Sequence, residues 1–311
     1  MKLSEAVDRY AAHRRAIGMR FSTEKKILKA FCRKHGESEL EQIQHKQVLD
    51  FILGVGPITP TCRVKYTTLL GFYRFSSSRR YTASVPLPNT IPKPSVEFVP
   101  YIYSQSELRR LLAMADTCQI SRRLLEGSTL QTMLLLLYGA ALRLNEALSL
   151  TLRDVNLQER ILHVRRTKFD KCRLVPIGTD LCAVLTQHIA RQHAHHRAAD
   201  APLLATSNGN PIPAHLAEDA FRRLRQLAKV LRHDGARYQP RLHDLRHTAA
   251  VHRVVNWYRS GADVQRLLPR LATYLGHIDI ASTQRYLTLV PELLQEASKR
   301  FELYALGDHY E

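Results

Sequence analysis

Apolar residues recur at helical spacing over residues 3–17, 23–35, 45–53 and 59–75, with breaks at Gly18, Gly36 and the GVGPITP stretch. This pattern predicts a small all-helical domain over residues 1–85. The periodicity then stops. Residues 86–100, PLPNTIPKPSVEFVP, hold five prolines and read as an extended linker. A second helical region opens at Ser104, where S-x-x-E (Ser104 to Glu107) is a capping box. The apolar run MLLLLYGAAL at 133–142 belongs to a buried helix at about 128–139. The period then drops to two. ILHVRR and CRLVPI flank TKFDK, which predicts a β-hairpin with Lys168 at its turn. Helices are expected at about 179–197, 213–232, 243–259 and 291–304. The expected fold is mainly α with a small antiparallel β-sheet. The helical front domain precedes a larger α+β domain over 101–311.

Charge changes this picture. The chain of 311 residues carries a formal net charge of +18. Residues 1–100 hold 17 Lys and Arg against 8 Asp and Glu, and the remainder 29 against 20, so both parts are equally basic. A self-repelling charge of this size points to a polyanionic partner, with both domains gripping one duplex. The five cysteines (Cys32, Cys62, Cys118, Cys172 and Cys182) are odd in number and widely spaced, and read as reduced thiols of a cytosolic protein. The start, MKLSEAVDRYAAHRR, is not a signal peptide, and no apolar run is long enough to span a bilayer. The cluster His193, His195 and His196 lacks a carboxylate or thiol at ligand spacing and reads as a solvated polar face.

The chemistry concentrates in six residues: Arg143, Lys168, His243, Arg246, His277 and Tyr286. Two arginines, a lysine and two histidines suit a pentavalent phosphate carrying extra negative charge. A tyrosine beside them can be the nucleophile. The set reads as phosphoryl transfer by side chains alone, with no metal and no cofactor. Tyr274 and Tyr304 are the competing tyrosines. Arg222, Arg223, Arg225 and Lys229 form a basic helix expected to touch DNA phosphates, and Lys171 adds a cation to the hairpin turn.

These residues lie in local patterns: R-x-x-E at Arg143–Glu146, K-x-x-K-x-R-x-V-P at Lys168–Pro176, H-x-L-R-H at His243–His247, L-G-H at 275–277, and Tyr286 nine residues after His277. In that order they resemble the tyrosine recombinase (phage integrase) family of DNA strand-exchange enzymes over roughly residues 101–300. Thirty residues separate Arg246 from His277, several more than in the commoner family pattern. With LPRLATYLGH and LTLVPELLQEASKRFE, this resembles the transposon-borne branch. The shape of the loop before His277 does not follow from the resemblance.

The resemblance implies that Arg143 and Arg246 clamp the scissile phosphate and that Tyr286 forms a 3′-phosphotyrosyl link. Lys168 would protonate the departing 5′-oxygen. His243 and His277 would bond the nonbridging oxygens or manage the tyrosine proton, with Glu146 and His247 orienting them. It also implies a homotetramer on two double-stranded DNA sites, a Holliday junction, and element-encoded accessory proteins. The terminal helix 291–304, with its stripe of Leu293, Leu294, Ala297, Phe301 and Tyr304, would be exchanged between protomers. Two alternatives share these residues: a monomeric type IB topoisomerase-like enzyme, and a non-cleaving DNA-binding protein of the same fold.

Overall fold

The computed structural model describes residues 1–311 apart from 20, 37, 93–98, 118–124, 166–171, 194–197, 237, 278–283, 285–292, 294, 297, 300 and 303–311. The chain divides into two compact units, Met1–Phe98 and Val99–Glu311.

The first unit packs four helices: α1 (Leu3–Ala16), α2 (Ser22–His35), α3 (His45–Leu53) and α4 (Pro60–Ser78). Pro60 stands in the first turn of α4, where its missing N–H costs nothing. One face of α4 (Leu69, Phe72, Tyr73 and Ser76) is fully buried. Helix α1 meets α4 at Gly71, where a Cβ would come 2.7 Å from the Tyr10 hydroxyl, so a larger residue there would push Tyr10 aside. Leu28, Phe31, Val48 and Ile52 complete the core. On α2 the opposite face leaves Lys26, Lys29 and Arg33 exposed.

The second unit is built around α6 (Gly127–Gly139), which is apolar on nearly every side and therefore must be covered all round. Helices α5 (Gln105–Thr117), α8 (Thr179–His193) and α10 (Leu242–Arg259) pack on it. Ser104 and Glu107 cap α5 reciprocally: the Glu107 carboxylate accepts the Ser104 N–H (2.8 Å) and the Ser104 hydroxyl accepts the Glu107 N–H (3.2 Å). A short helix α7 (Leu144–Ser149) leads to an antiparallel sheet of β1 (Val155–Asn156), β2 (Ile161–Val164) and β3 (Arg173–Pro176) in sequential order. Leu162 pairs with Val175 and Val164 with Arg173. Leu162, Val164 and Val175 all face the core. Helices α9 (Ala214–Leu227) and α11 (Val264–Leu275) complete the unit.

The fold class is as expected, mostly helical with a three-stranded antiparallel sheet. Several details differ. The hairpin gains the third strand β1, and α7 and α11 were not anticipated. Helix α9 stops at Leu227 instead of 232, because Lys229 takes a left-handed φ of 50° and turns Val230 into the core. The hairpin turn TKFDK and the end of the expected 179–197 helix lie outside the described residues. In the C-terminal segment Leu293, Gln295, Glu296, Ser298, Lys299, Phe301 and Glu302 are helical. Leu293 is buried in one cluster with Val254, Val255, Leu271 and Leu275 of its own unit, whereas Phe301 is 71% exposed. Arg259 pairs with Glu296 at 3.3 Å. Of the expected stripe, Leu293 is thus folded onto its own chain and Phe301 is open to solvent. Leu294, Ala297 and Tyr304 lie outside the described residues. Among the described residues no helix is long and apolar enough to cross a membrane.

Candidate active site

The site is assembled where three chain turns meet. The first follows α6. Ala141 takes a left-handed φ of 50°, costly for a residue with a Cβ, and its carbonyl accepts the Arg246 Nη1–H. Two residues on, Arg143 begins α7. The Glu146 carboxylate caps that helix by accepting the Arg143 backbone N–H at 2.9 Å. Its Oε1 also accepts Arg143 Nη1–H at 2.7 Å.

The second turn opens α10. Tyr103 holds it, donating its hydroxyl to the Arg241 carbonyl (2.9 Å) and its N–H to the Thr248 hydroxyl (3.0 Å). Asp244 caps the helix through the Arg241 N–H at 2.9 Å and pairs with the Arg241 guanidinium at 3.0 Å. The first turns of α10 carry His243, Arg246 and His247. Arg246 is 2% exposed. The His243 and His247 rings meet edge to face, 4.7 Å between centroids.

The third turn ends α11. The Asp263 carboxylate caps the start of this helix, accepting the Arg266 N–H at 3.1 Å. Gly276 ends it with φ 66°, ψ 43°, a left-handed conformation that suits glycine. The reversal aims three groups at the site. Arg246 Nη2–H donates to the Leu275 carbonyl. Arg143 Nη2–H donates to the Gly276 carbonyl at 3.0 Å. His277 Nε2 lies 3.3 Å from Arg246 Nη2.

Arg143, His243, Arg246 and His277 are therefore brought together, with Glu146 and His247 directly behind them. Lys168, Lys171 and Tyr286 lie outside the described residues, as do the side chains of His193, His195 and His196. Tyr274 donates its hydroxyl to the Pro176 carbonyl at 3.2 Å, and burial pushes its phenol above the ordinary value. Of the basic residues on and after α9, Arg222, Arg223 and Lys229 are exposed, with Arg222 2.9 Å from Asp219. Arg225 is not at the surface. It is buried, one turn after Phe221 on the core face of the helix, and donates to Gln239 Oε1 at 2.8 Å.

One participant had no role assigned from the sequence. Arg173, on β3, forms a two-pronged pair with Glu146 (Nη1 to Oε1 2.9 Å, Nη2 to Oε2 2.8 Å) and donates Nε–H to the Tyr274 carbonyl at 3.3 Å. It was visible only as the arginine of K-x-x-K-x-R. Glu146 thus faces three guanidiniums, with Arg246 Nη1 at 3.9 Å. Burial alone would raise its pKa. The Arg173 hydrogen bonds, the Arg143 N–H and the neighbouring positive charges outweigh burial and bring the carboxyl to about 2.

Two of the three histidines of α10, His243 and His247, have their pKa lowered. His243 is exposed, yet the protein packed beside it, then Arg246, Arg241 and Arg143, lower its pKa. Burial, then His243 and Arg246, lowers His247 to about 3. Three guanidiniums against one carboxylate leave two positive charges in a partly dry pocket. Arg143, 30% exposed at its side chain, is the arginine of the three that most faces solvent. Such a pocket suits a phosphate whose charge grows during reaction. Among the described residues no group of three His, Cys, Asp or Glu is placed to hold a metal ion.

Comparison with known proteins gives the same direction. Residues 103–292 match the Phage integrase family. A presumed integrase/recombinase of Sinorhizobium fredii, y4rB, is 34% identical over 307 residues, covering 96% of each chain. The tyrosine recombinase XerC of Oceanobacillus iheyensis is 28% identical over 293 residues, covering 91% of this chain and 88% of its own. Among solved structures, the Tn1549 transposon integrase in complex with transposon right end DNA superposes with a TM-score of 0.66 at 16% identity, covering 99% of this chain and 100% of that one. A lambda integrase tetramer bound to a Holliday junction superposes with a TM-score of 0.66 at 15% identity, over 92% of this chain and 77% of that one.

Proposed function

Because the chain belongs to the phage integrase family, we propose that it is a site-specific DNA recombinase that breaks and rejoins strands through a tyrosine–phosphate link. The observation that carries this reading is the convergence of Arg143, Arg246 and His277 on the turn at 275–277, backed by Glu146. The arginines receive the nonbridging oxygens of a DNA phosphate. His243, its pKa lowered, and His277 donate hydrogen bonds to those oxygens or accept the proton that the tyrosine loses. Tyr286 attacks phosphorus and Lys168 protonates the departing 5′-oxygen. The phosphotyrosine conserves the bond energy, and the guanidiniums supply the charge stabilisation. The substrate is a DNA site of a mobile element, as the transposon integrase's shared fold suggests. The assembly is a tetramer on two such sites, like the lambda integrase complex.

The test is a single-turnover cleavage assay on a nicked DNA site, read as protein–DNA adducts on a denaturing gel. Tyr286→Phe removes one hydroxyl and leaves the cationic pocket intact. Adduct formation should vanish while DNA affinity stays within about threefold of wild type. Adducts formed by the Phe variant at the wild-type rate would exclude Tyr286 as nucleophile.

A further inference from the structure

Arg173 differs from the other two arginines around Glu146. Its side chain is 12% exposed, against 30% for Arg143. Both terminal nitrogens bind the Glu146 carboxylate and Nε binds the Tyr274 carbonyl, so the described contacts point every edge of its guanidinium at protein. Its flat face lies against Gly276. A Cβ built on Gly276 would come 2.9 Å from Arg173 Nη1 and 3.1 Å from its Cδ and Cζ. Gly276 therefore satisfies two demands at once: its φ of 66° and the stacking of this guanidinium. The same residue offers its carbonyl to Arg143, and His277 follows directly. Arg173 thus joins a β-strand to both the helix start that carries Arg143 and the turn that carries His277.

We infer that Arg173 is a positioning residue for strand transfer: it does not touch DNA, but holds Glu146 and the Gly276 turn so that Arg143 and His277 face the scissile phosphate. The inference rests on the strand-transfer reading above. A lysine at 173 would keep the charge, but one ammonium cannot span both Glu146 oxygens and the Tyr274 carbonyl while covering Gly276. A displacement of about an ångström in a phosphate clamp is enough to cost on the order of a hundredfold in rate. An arginine that binds no phosphate should leave affinity alone.

The experiment uses the full chain and the nicked-site assay, with thermal melting as a control for folding. Arg173→Lys and Arg173→Ala are compared with wild type, Arg143→Ala and Tyr286→Phe. For Arg173→Lys the cleavage rate at saturating protein should fall at least about tenfold, while half-saturation moves less than about twofold. Arg173→Ala should fall further in rate with the same affinity. Gly276→Ala gives the independent readout. It should slow wild type strongly, because the new Cβ displaces Arg173. It should slow the Arg173→Ala protein less, because only the strain of a Cβ at φ 66° then remains. If Arg173→Ala melts below the assay temperature, Arg173→Lys carries the test. A wild-type rate in Arg173→Lys, a loss of affinity matching the loss of rate, or equal effects of Gly276→Ala in both backgrounds would each overturn the positioning role. A Tyr286→Phe protein that still forms adducts would instead exclude Tyr286 as nucleophile, and a wild-type protein that forms no adduct would overturn the strand-transfer reading.

Discussion

Glu146 shows how a single carboxylate can set the electrostatics of a cationic pocket. It stands against three guanidiniums, and its pKa near 2 measures how strongly they hold its charge. Because the folded value lies below the ordinary one of 4.5, this stabilisation is complete above pH 4.5 and is lost as pH falls towards 2. Its size is on the order of 3 kcal/mol. His247 acts in a higher window. The folded protein keeps it neutral down to about pH 3, whereas the unfolded chain takes up a proton near 6.5. Stability should therefore start to decline below pH 6.5, by up to about 1.4 kcal/mol per pH unit from this residue. Urea unfolding across pH 3–8 checks both windows, and a flat profile between pH 6.5 and 4.5 would contradict a buried neutral His247. Glu146→Gln should cost about 3–5 kcal/mol at pH 7, because Arg173 and Arg246 then lack their counter-ion.

At the level of elements, α11 decides the shape of the site. Its signals stand in the sequence: Asp263 at the N-cap, apolar Val264, Leu268, Leu271 and Leu275 on one face, and Gly276 at the end. Pro269 in its middle reads as a break and hides them. Asp263→Ala should destabilise the second unit by about 1 kcal/mol in urea unfolding. It should also slow cleavage, because the last turn of α11 supplies the carbonyl that Arg246 binds. The motifs around Arg143, His243 and Arg246 stand out in the sequence because each candidate side chain lies a few residues from its own marker. Arg173 does not, since its partners lie 27 residues away at Glu146 and 101 away at Tyr274. Arg225 could have been read correctly. It continues the buried row Ala217, Phe221 and Leu224, so its helix face, more than its charge, settles where it points.

For the whole molecule, the proline-rich stretch at 86–100 stands out because its composition is unlike either side. What composition could not show is that the terminal segment starts on its own unit, with Leu293 in the core and Glu296 on Arg259. The two units have separate hydrophobic cores, one around Phe31 and Phe72, the other around α6. Two units with separate cores need not melt together. Calorimetry of the intact chain should resolve two transitions, and Glu146→Gln should move only one. A single coincident transition would show that the units stabilise each other. If the transitions separate, the intact chain has no single melting temperature. A variant could then keep the helical signal and the melting transition of its first unit after its second unit has already come apart. Inactivity in such a variant would mean loss of fold and say nothing about chemistry, unless each half is followed by its own probe. Trp257, the one tryptophan in the chain, lies on α10 and can serve as that probe for the second unit.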